Sequence, residues 1–348
     1  MRKIYVSALA LMIGAIGFAQ TNKSDVTQLG EDGVSKVVQH GGGTNNAIQY
    51  QRTPGGSGAG LVDIYQKGNG NYANQQQEAH WPVGTPAGDY TIFTENRGKE
   101  ASAIVKQVGD GNKAWQTQRW DNESAYAEQK GHRNESRQKQ WGAENVANVK
   151  QYDNDHKATQ NQYGRRVEAF ITQSNWKNTA TQTQNKGGYD DYARATQSGK
   201  ENVSEQTQKG KGQGRGPLNA NLVSVNQSGN NNFARQNQSN DETGGQRNDA
   251  TIIQKGDRGD AFQEQHGRNG IQLLEQKNGH ENYGKQVQDV ASELGDAKLM
   301  QNGSHNWSEQ YQYGSNNNSS VTQNGYNNWS KVTQKGSGNT NTVTQTHP

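Results

Sequence analysis

The sequence predicts an all-β fold, a β-solenoid in which short strands and turns alternate and successive coils stack on one another. Glutamine recurs every eleven residues over a long stretch of the chain. Within each unit, asparagine, a small residue and glutamine are separated by two-residue steps, the period of a strand whose alternate side chains share a face. Glycine and polar residues separate these segments, as turns require. Together these observations predict coils of about 22 residues, each made of two eleven-residue units.

The period is strictest in the middle of the chain, where eight glutamines keep a constant spacing. They are Gln107, Gln118, Gln129, Gln140, Gln151, Gln162, Gln173 and Gln184. The residue seven positions after each of the first seven is always alanine or serine, and asparagine is frequent at the fifth position. A right-handed helical supercoil also repeats every eleven residues. It would need apolar residues at three- and four-residue steps, which are absent, and turn residues such as Gly109-Asp110-Gly111 would break its helices.

The ninth position of each unit distinguishes two kinds of strand. Glutamine alternates there with an apolar or small residue, in the order Gln116, Ala127, Gln138, Val149, Gln160, Ile171 and Gln182. One strand of each coil is therefore expected to turn two glutamines inward, and the other an aliphatic residue and a glutamine. Stacked coils about 4.8 Å apart would let the carboxamides hydrogen-bond along columns, which satisfies polar groups that are costly to bury alone.

Outside this block the repeat continues with longer turns. Residues 28–348 are expected to form one repeat domain, with turn insertions near 52–60, 78–94, 185–194, 209–216 and 239–247. Insertions at turns leave stacked strands in register. The whole domain should hold roughly two dozen strands, hence about a dozen coils. The residues expected to form the ladder columns and to mediate self-assembly are Gln66, Asn71, Gln77, Gln107, Asn112, Gln118, Gln129, Asn134, Gln140, Gln227, Asn232, Gln238, Gln301, Asn306, Gln312, Asn317, Gln323, Asn328, Gln334, Asn339 and Gln345.

Composition narrows the function classes. Only 28% of the 348 residues are hydrophobic, a value typical of disordered chains, but disorder would not preserve register at several positions of each unit. The chain has no cysteine, which excludes disulfides, thiolate metal sites and a cysteine nucleophile. The formal charge is +3 with no basic block, so no nucleic-acid partner is expected. A low net charge favours self-association.

The first residues resemble a secretory signal peptide, expected over residues 1–19. Arg2 and Lys3 are followed by an apolar run, and small residues Gly17 and Ala19 precede the expected cleavage between Ala19 and Gln20. Residues 20–27 would then form a short N-terminal leader. No other apolar run follows, so the mature chain is expected to be secreted and not to span a membrane.

The unit Gln-x-Gly-x-x-Asn-x-Ala-x-x-x-Gln resembles the curlin repeat of curli subunits. It stands intact at residues 66–77, 107–118 and 227–238, and it recurs with serine for alanine at residues 129–140, 197–208, 301–312, 312–323 and 323–334. The resemblance implies a functional amyloid: a structural subunit that forms curli-like extracellular fibres, or fimbriae, for biofilm matrix and cell adhesion. It also implies an outer-membrane secretion apparatus and a nucleator partner. This sequence departs from the pattern at His156 and Gly259, which replace asparagine, and in its shorter leader.

Two other function classes are compatible with a solenoid. The first is a β-helix enzyme acting on polysaccharides, which would need clustered carboxylates, for which Asp190, Asp191, Glu95 and Glu100 are candidates. Solvated turn carboxylates are the simpler interpretation, so neither catalytic nor cofactor-binding residues are assigned. The eight histidines show no ligand spacing, and no metal is expected.

The second class is a monomeric or cell-anchored adhesin that binds glycans or surfaces. Trp115, Trp307 and Trp329 lie one residue away from inward positions, so they should face outward, where aromatic rings bind glycans or pack filaments sideways. A monomeric rod would need blunted ends. The last unit runs almost to Pro348, and open ends are therefore expected to favour fibres.

Overall fold

A computed structural model describes residues 22–30, 34–41, 44–53, 60–78, 101–119, 122–210, 221–240 and 247–347 of the chain. Within these ranges the chain forms 26 strands and no helix. The strands lie in two parallel sheets of 13 strands each. The predicted all-β solenoid is confirmed, and the helical supercoil is excluded for the described residues. No helix long and apolar enough to cross a membrane occurs in them.

Consecutive strands lie in opposite sheets, so one odd-numbered and one even-numbered strand make one coil. Each strand pairs in parallel with the strand two further along the chain, as β8 does with β10. We call the two sheets the odd sheet and the even sheet. The strands are β1 Lys23–Gly30, β2 Val34–His40, β3 Asn46–Thr53, β4 Leu61–Lys67, β5 Tyr72–Glu78, β6 Ser102–Val108, β7 Lys113–Gln118, β8 Ser124–His132, β9 Glu135–Gln140, β10 Val146–Asn154, β11 Lys157–Arg165, β12 Glu168–Trp176, β13 Thr179–Tyr189, β14 Tyr192–Lys200, β15 Val203–Gly210, β16 Leu222–Asn230, β17 Phe233–Asn240, β18 Asp249–Asp257, β19 Asp260–Arg268, β20 Ile271–His280, β21 Tyr283–Glu293, β22 Asp296–Asn302, β23 Trp307–Tyr313, β24 Asn318–Gly325, β25 Trp329–Lys335 and β26 Thr340–His347.

Side chains along each strand alternate between the interior and the surface. In β6, where Ser102 occupies position 1, the residues at positions 2, 4 and 6 are Ala103, Val105 and Gln107, and all three are buried. Position 4 of the even sheet is an apolar column along the solenoid. Its members are Val37, Ile64, Val105, Ala127, Val149, Ile171, Ala195, Val225, Ile252, Leu274, Leu299, Val321 and Val343. The predicted pair of unlike strands per coil is thereby confirmed.

The register survives insertions between strands. Gln66 pairs with Gln107 although 41 positions separate them, against 22 in a regular coil, because residues 79–101 make a long connection between β5 and β6. Residues 79–100, with 54–59, 211–220 and 241–246, lie outside the described ranges, and most of the predicted insertions at 52–60, 78–94, 209–216 and 239–247 fall there. Stacking therefore continues across additions at the turns, since each strand needs only its neighbours in the sheet.

The region of the predicted insertion at 185–194 is partly a continuation of a strand. Gln162 pairs with Gln184, but Gly164 pairs with Gly188, so two extra residues are absorbed by a register shift within the paired segment. Such a bulge lets one strand carry additional residues without losing the pairing on either side. At the start of the chain, β1 begins at Lys23, within the expected leader 20–27. The expected signal peptide and its cleavage site at Ala19 and Gln20 lie outside the described residues.

Glycine is required where one turn approaches the next. Gly109 has φ +111°, and a Cβ atom on it would lie 2.0 Å from the carbonyl oxygen of Gly131 in the next coil. A Cβ atom on Gly131 would likewise lie 1.9 Å from the carbonyl oxygen of Asp153. Both the backbone angle and the contact exclude an ordinary side chain. The glycine at the second position of the unit thus permits close stacking of the turns.

Candidate functional site: the carboxamide columns and the end faces

Position 6 is glutamine in every described strand of both sheets. In the odd sheet each Nε2 donates to the Oε1 of the glutamine in the next coil, at 2.6 to 3.4 Å. The even sheet carries an equal column with distances of 2.8 to 2.9 Å. Both columns run in one direction, from donor to acceptor, towards the C-terminal coils.

The same amide nitrogens also donate across the interior, to backbone carbonyl oxygens of the opposite sheet. Gln107 Nε2 donates to the carbonyl oxygen of Tyr72 at 3.0 Å, and Gln118 Nε2 donates to that of Ser102 at 3.0 Å. Each bond joins one sheet to the backbone of the other. An amide with both hydrogens and its oxygen bonded avoids the desolvation penalty of an unpaired buried group. The glutamines therefore replace much of the apolar core that an ordinary domain would need.

A third glutamine column occupies position 4 of the odd sheet. Ten hydrogen bonds of 2.7 to 3.2 Å join its members from Gln49 to Gln310. Valine ends the column on both sides, with Val26 paired opposite Gln49 and Val332 opposite Gln310. This column begins and ends inside the molecule, whereas the position 6 columns continue to both terminal coils.

Two further columns precede the strands, six residues before each glutamine of position 6. The column before the odd strands contains Asn112, whose backbone N–H donates to Asn71 Oδ1 at 3.0 Å. Its Nδ2 donates to the carbonyl oxygen of Gly131 at 2.9 Å. Asparagine thus joins the turn of its own coil to both neighbouring coils. Its oxygen faces the backbone of the C-terminal neighbour, so this column also has one direction.

The structure places all of the sequence-selected glutamines and asparagines in these columns. Those at position 6 of the odd sheet are Gln77, Gln118, Gln140, Gln238, Gln312 and Gln334. Those of the even sheet are Gln66, Gln107, Gln129, Gln227, Gln301, Gln323 and Gln345. The asparagines before odd strands are Asn71, Asn112, Asn134, Asn232, Asn306 and Asn328. Those before even strands are Asn317 and Asn339.

Several positions of the two asparagine columns hold a residue other than asparagine. His156 is fully buried in the first asparagine column, and Glu123, Val167 and Asp191 are buried in the second. The interpretation of Asp191 as a solvated turn carboxylate is wrong, because its side chain is 1% exposed. Burial raises the pKa of Asp191 to about 7. Counting back six residues from Gln197, rather than forward from Gln184, would have placed this aspartate in the column.

The carboxylates considered for catalysis do not form a cluster within the described residues. Asp190 pairs with Arg166 at 2.6 Å, whereas Asp191 lies in the interior. Glu95 and Glu100 lie outside the described residues. In the ranges that the structure describes, no three histidine, aspartate or glutamate side chains are grouped so as to hold a metal ion.

Aromatic rings form a column on the outer face of the odd sheet. Trp307 and Trp329 stack with centroids 5.2 Å apart and an interplanar angle of 2°. Tyr283 stacks on the other side of Trp307 at 5.7 Å. The outward orientation predicted for these tryptophans and for Trp115 is confirmed, and Trp329 is 60% exposed. Both faces of the Trp307 ring are thus occupied by other rings.

In the described ranges, the terminal strands have a sheet neighbour on one side only. We call β1 and β2 the N-terminal face, and β25 and β26 the C-terminal face. At the N-terminal face, Gln28 Nε2 donates inward to Gln51, so Gln28 Oε1 lies on the outer side. At the C-terminal face, Gln334 Oε1 accepts from Gln312, and Gln334 Nε2 donates to the carbonyl oxygens of Asn318 and Asn339 at 2.8 and 3.1 Å; within the described residues no further glutamine follows it in the column. The column therefore ends in a glutamine oxygen at the N-terminal face and in a glutamine amide nitrogen at the C-terminal face.

The family model described as the curlin associated repeat matches residues 296–325 and 320–346. No curated protein matches the chain. The matched residues run from β22 to β26, and they include the position 6 glutamines Gln301, Gln312, Gln323, Gln334 and Gln345. The same column positions extend from these strands through every other described coil. The curlin associated repeat is therefore matched at residues 296–346 of this chain.

Proposed function

We propose that the chain is a secreted structural subunit that assembles end to end into curli-like extracellular amyloid fibres of a biofilm matrix. The observation that carries the proposal is the complementarity of the two end faces. The columns that reach the terminal coils each have a single direction, so that the last group of a column at one face is complementary to its first group at the other. A second copy is the partner that continues these columns.

The direction of the columns favours head-to-tail contact. Gln334 Nε2 of one molecule would donate to Gln28 Oε1 of the next, as every interior pair does. Asn328 Oδ1 would likewise accept the backbone N–H of Asn22. Two N-terminal faces brought together would oppose acceptor to acceptor and would run their strands antiparallel. The parallel stacking of the interior is thus continued by one orientation of the partner.

The side chains of the two faces also match when β25 is set against β1 in the register of the interior. Val332 would meet Val26, and Ser330 would meet Ser24, so the valines that end the third glutamine column would pack together. On the surface, Lys331 would lie beside Asp25. Trp329 would offer its open ring face to Lys23, a cation–π pair of the kind that Lys177 and Trp176 form at 4.1 Å.

Exchanging charges at this junction tests the proposal. Asp25→Lys should slow fibre elongation about fivefold, because the introduced ammonium group would then face Lys331, and a like-charge pair at this spacing costs about 1 kcal/mol. Lys331→Glu should slow elongation in the same way, and it would also lose the pair with Glu309, at 3.6 Å. The double exchange should restore elongation. Elongation from preformed seeds, followed by dye fluorescence, is the measurement.

The matched control is Lys139→Glu, which replaces an exposed outward lysine in the middle of the solenoid. It changes the net charge as much as Lys331→Glu does but lies on neither end face, so elongation should stay near the unmodified rate. Fibres should give reflections at about 4.7 and 10 Å. A stable, dye-negative monomer would contradict the proposal and favour an adhesin. Slowing by the control variant to the same extent would contradict the end-face mechanism alone.

The stacked tryptophans favour assembly over glycan recognition. A sugar ring binds an aromatic side chain through the face of the ring. Both faces of Trp307 are covered, by Tyr283 and Trp329. The open face of Trp329 lies at the end of the solenoid, where the next molecule would dock. Adhesion to surfaces would then be a property of the fibre, through the exposed ring edges, rather than of a glycan site on the monomer.

The curlin repeat extends this proposal to the protein's route and partners. We assign removal of residues 1–19 during export, passage through an outer-membrane secretion apparatus, and a nucleator subunit that starts the fibre. The ladder glutamines and asparagines are the residues that would propagate growth. Amino-terminal sequencing of secreted protein should begin at Gln20. A chain that retains Met1 outside the cell would contradict this processing.

A further inference from the structure

We propose that Asp191 is a proton-operated lock in the middle of the solenoid, which holds its coil closed when protonated and loosens it when ionised. The lock acts within one molecule. It therefore stands or falls independently of fibre assembly.

Asp191 occupies a place built for asparagine. In the same column, Asn145 Oδ1 accepts the backbone N–H of Val167 at 3.1 Å, and Asn145 Nδ2 donates to the carbonyl oxygen of Gly164 at 3.1 Å. Asp191 Oδ1 accepts the backbone N–H of Asn221 at 3.2 Å, as an asparagine oxygen would. The remaining oxygen, Oδ2, therefore takes the place of the amide nitrogen.

That second oxygen lacks a hydrogen-bond partner and is buried. Asn248 and Asn317, later in the column, use the corresponding Nδ2 to donate to glycine carbonyl oxygens at 2.9 Å. An ionised carboxylate has no hydrogen to donate at this place. A protonated one has an O–H in the position where the column supplies an N–H. Protonation thus restores the pattern of donors and acceptors.

Another buried carboxyl group in the column shows what a carboxylate needs there. Glu123 Oε2 accepts the backbone N–H of Arg119 at 2.9 Å, and Glu123 Oε1 accepts from Asn145 Nδ2 at 3.4 Å. Both of its oxygens have donors. Asp191 differs because Oδ2 has no donor, and the residue at the same place in the coil before it, Val167, has an apolar side chain. The unsatisfied oxygen thus distinguishes Asp191 from Glu123.

The charges near Asp191 do not compensate an ionised carboxylate. Arg166, in the turn of the preceding coil, pairs with Asp190 at 2.6 Å, and no cation among the described residues forms an ion pair with Asp191 itself. The carboxylate of Asp190 lies next to Asp191 and opposes a second negative charge. In the following coil, Asn221 supplies neutral donors. Burial is the main cause that raises the pKa of Asp191 to about 7, and Asp190 adds to it.

The direction of the effect follows from these pKa values. In the unfolded chain the pKa of this carboxyl is near the usual 3.8, against about 7 in the folded chain. The contribution of Asp191 to stability is complete below about pH 4, falls as the pH rises from about 4 to 7, and is lost above about 7. A difference of about three pH units in pKa changes the unfolding equilibrium constant about a thousandfold.

The experiment compares urea unfolding of the full mature chain, Asp191→Asn and Asp190→Asn between pH 4 and 8.5. Protein concentrations are kept below those that allow assembly. Asp191→Asn should match the unmodified chain at pH 4 and exceed it at pH 8, with an unfolding equilibrium constant up to about a thousandfold smaller. Asp190→Asn is the matched control, because it removes the neighbouring carboxylate and leaves Asp191 in place. This control should still lose stability between pH 4 and 7, as the unmodified chain does.

A profile of Asp191→Asn that remains parallel to the unmodified chain would overturn the proposal. Should this variant fail to fold, the carboxyl carbon of Asp191 can be titrated by NMR in the unmodified chain. A midpoint near 7 supports the lock. A midpoint near 4 overturns it, because the side chain would then be ionised throughout the range without consequence.

Discussion

Gln77→Ala is expected to destabilise the solenoid by about 4 kcal/mol, while Gln76→Ala on the same strand should cost less than about 1 kcal/mol. The buried Gln77 accepts from Gln51 Nε2 at 3.2 Å and donates to Gln118 Oε1 at 2.9 Å. It also donates to the carbonyl oxygen of Leu61 at 3.1 Å. Truncation leaves three buried groups without this partner, and each such loss costs about 1–3 kcal/mol.

Gln76 is a close control because it is the same residue type one position away, with its side chain on the outer face. The free energy of unfolding, measured by urea at a fixed pH, distinguishes the two variants. Equal losses would show that the interior amides contribute no more to stability than a glutamine on the surface of the strand. That outcome would contradict the role of the columns as the core.

Gly109→Ala is expected to destabilise the solenoid by about 3 kcal/mol or more. The new Cβ would lie 2.0 Å from the carbonyl oxygen of Gly131, and the backbone at φ +111° is one that alanine rarely adopts. Gly111, two residues away in the same turn, has φ +68°, and its Cβ would lie 3.6 Å from the Arg133 side chain. Gly111→Ala should therefore cost only about 1 kcal/mol.

The comparison separates the backbone angle from the collision between coils. Both glycines have positive φ, but only Gly109 of the two has a carbonyl oxygen of the next coil in its way. Thermal unfolding of the two variants gives the difference directly. Similar losses would mean that the backbone angle alone is responsible and that the turns can separate without cost. A larger loss at Gly111 would contradict the packing of the turns described above.

Much of the fold was predictable because the sequence repeats with two periods, an eleven-residue unit and a 22-residue coil. The eleven-residue spacing from Gln107 to Gln184 indicated strands and coils, and the alternation of Gln116 with Ala127 indicated two unlike strands. These patterns persist because a residue in a stacked coil meets its own equivalent above and below. The same spacing predicted that the selected asparagines lie beside turns.

The sequence did not reveal features that depend on where insertions fall. Asp191 follows the register shift between Gln184 and Gly188, so counting forward from Gln184 does not identify it as a column member. The match of the end faces was hidden for another reason. Val26 and Val332 are 306 positions apart in the chain, and only the structure shows that both occupy position 4 of the odd sheet.

The valines at the two ends of the third glutamine column would divide a fibre built from this protein into segments, each one molecule long. Inside one molecule the third glutamine column is joined by hydrogen bonds from Gln49 to Gln310. Between molecules this glutamine column would be interrupted by Val332 and Val26, which would contact each other without a hydrogen bond. Under shear, such a fibre should break at the boundaries between molecules, and its fragments should be whole numbers of subunits with fresh ends for growth.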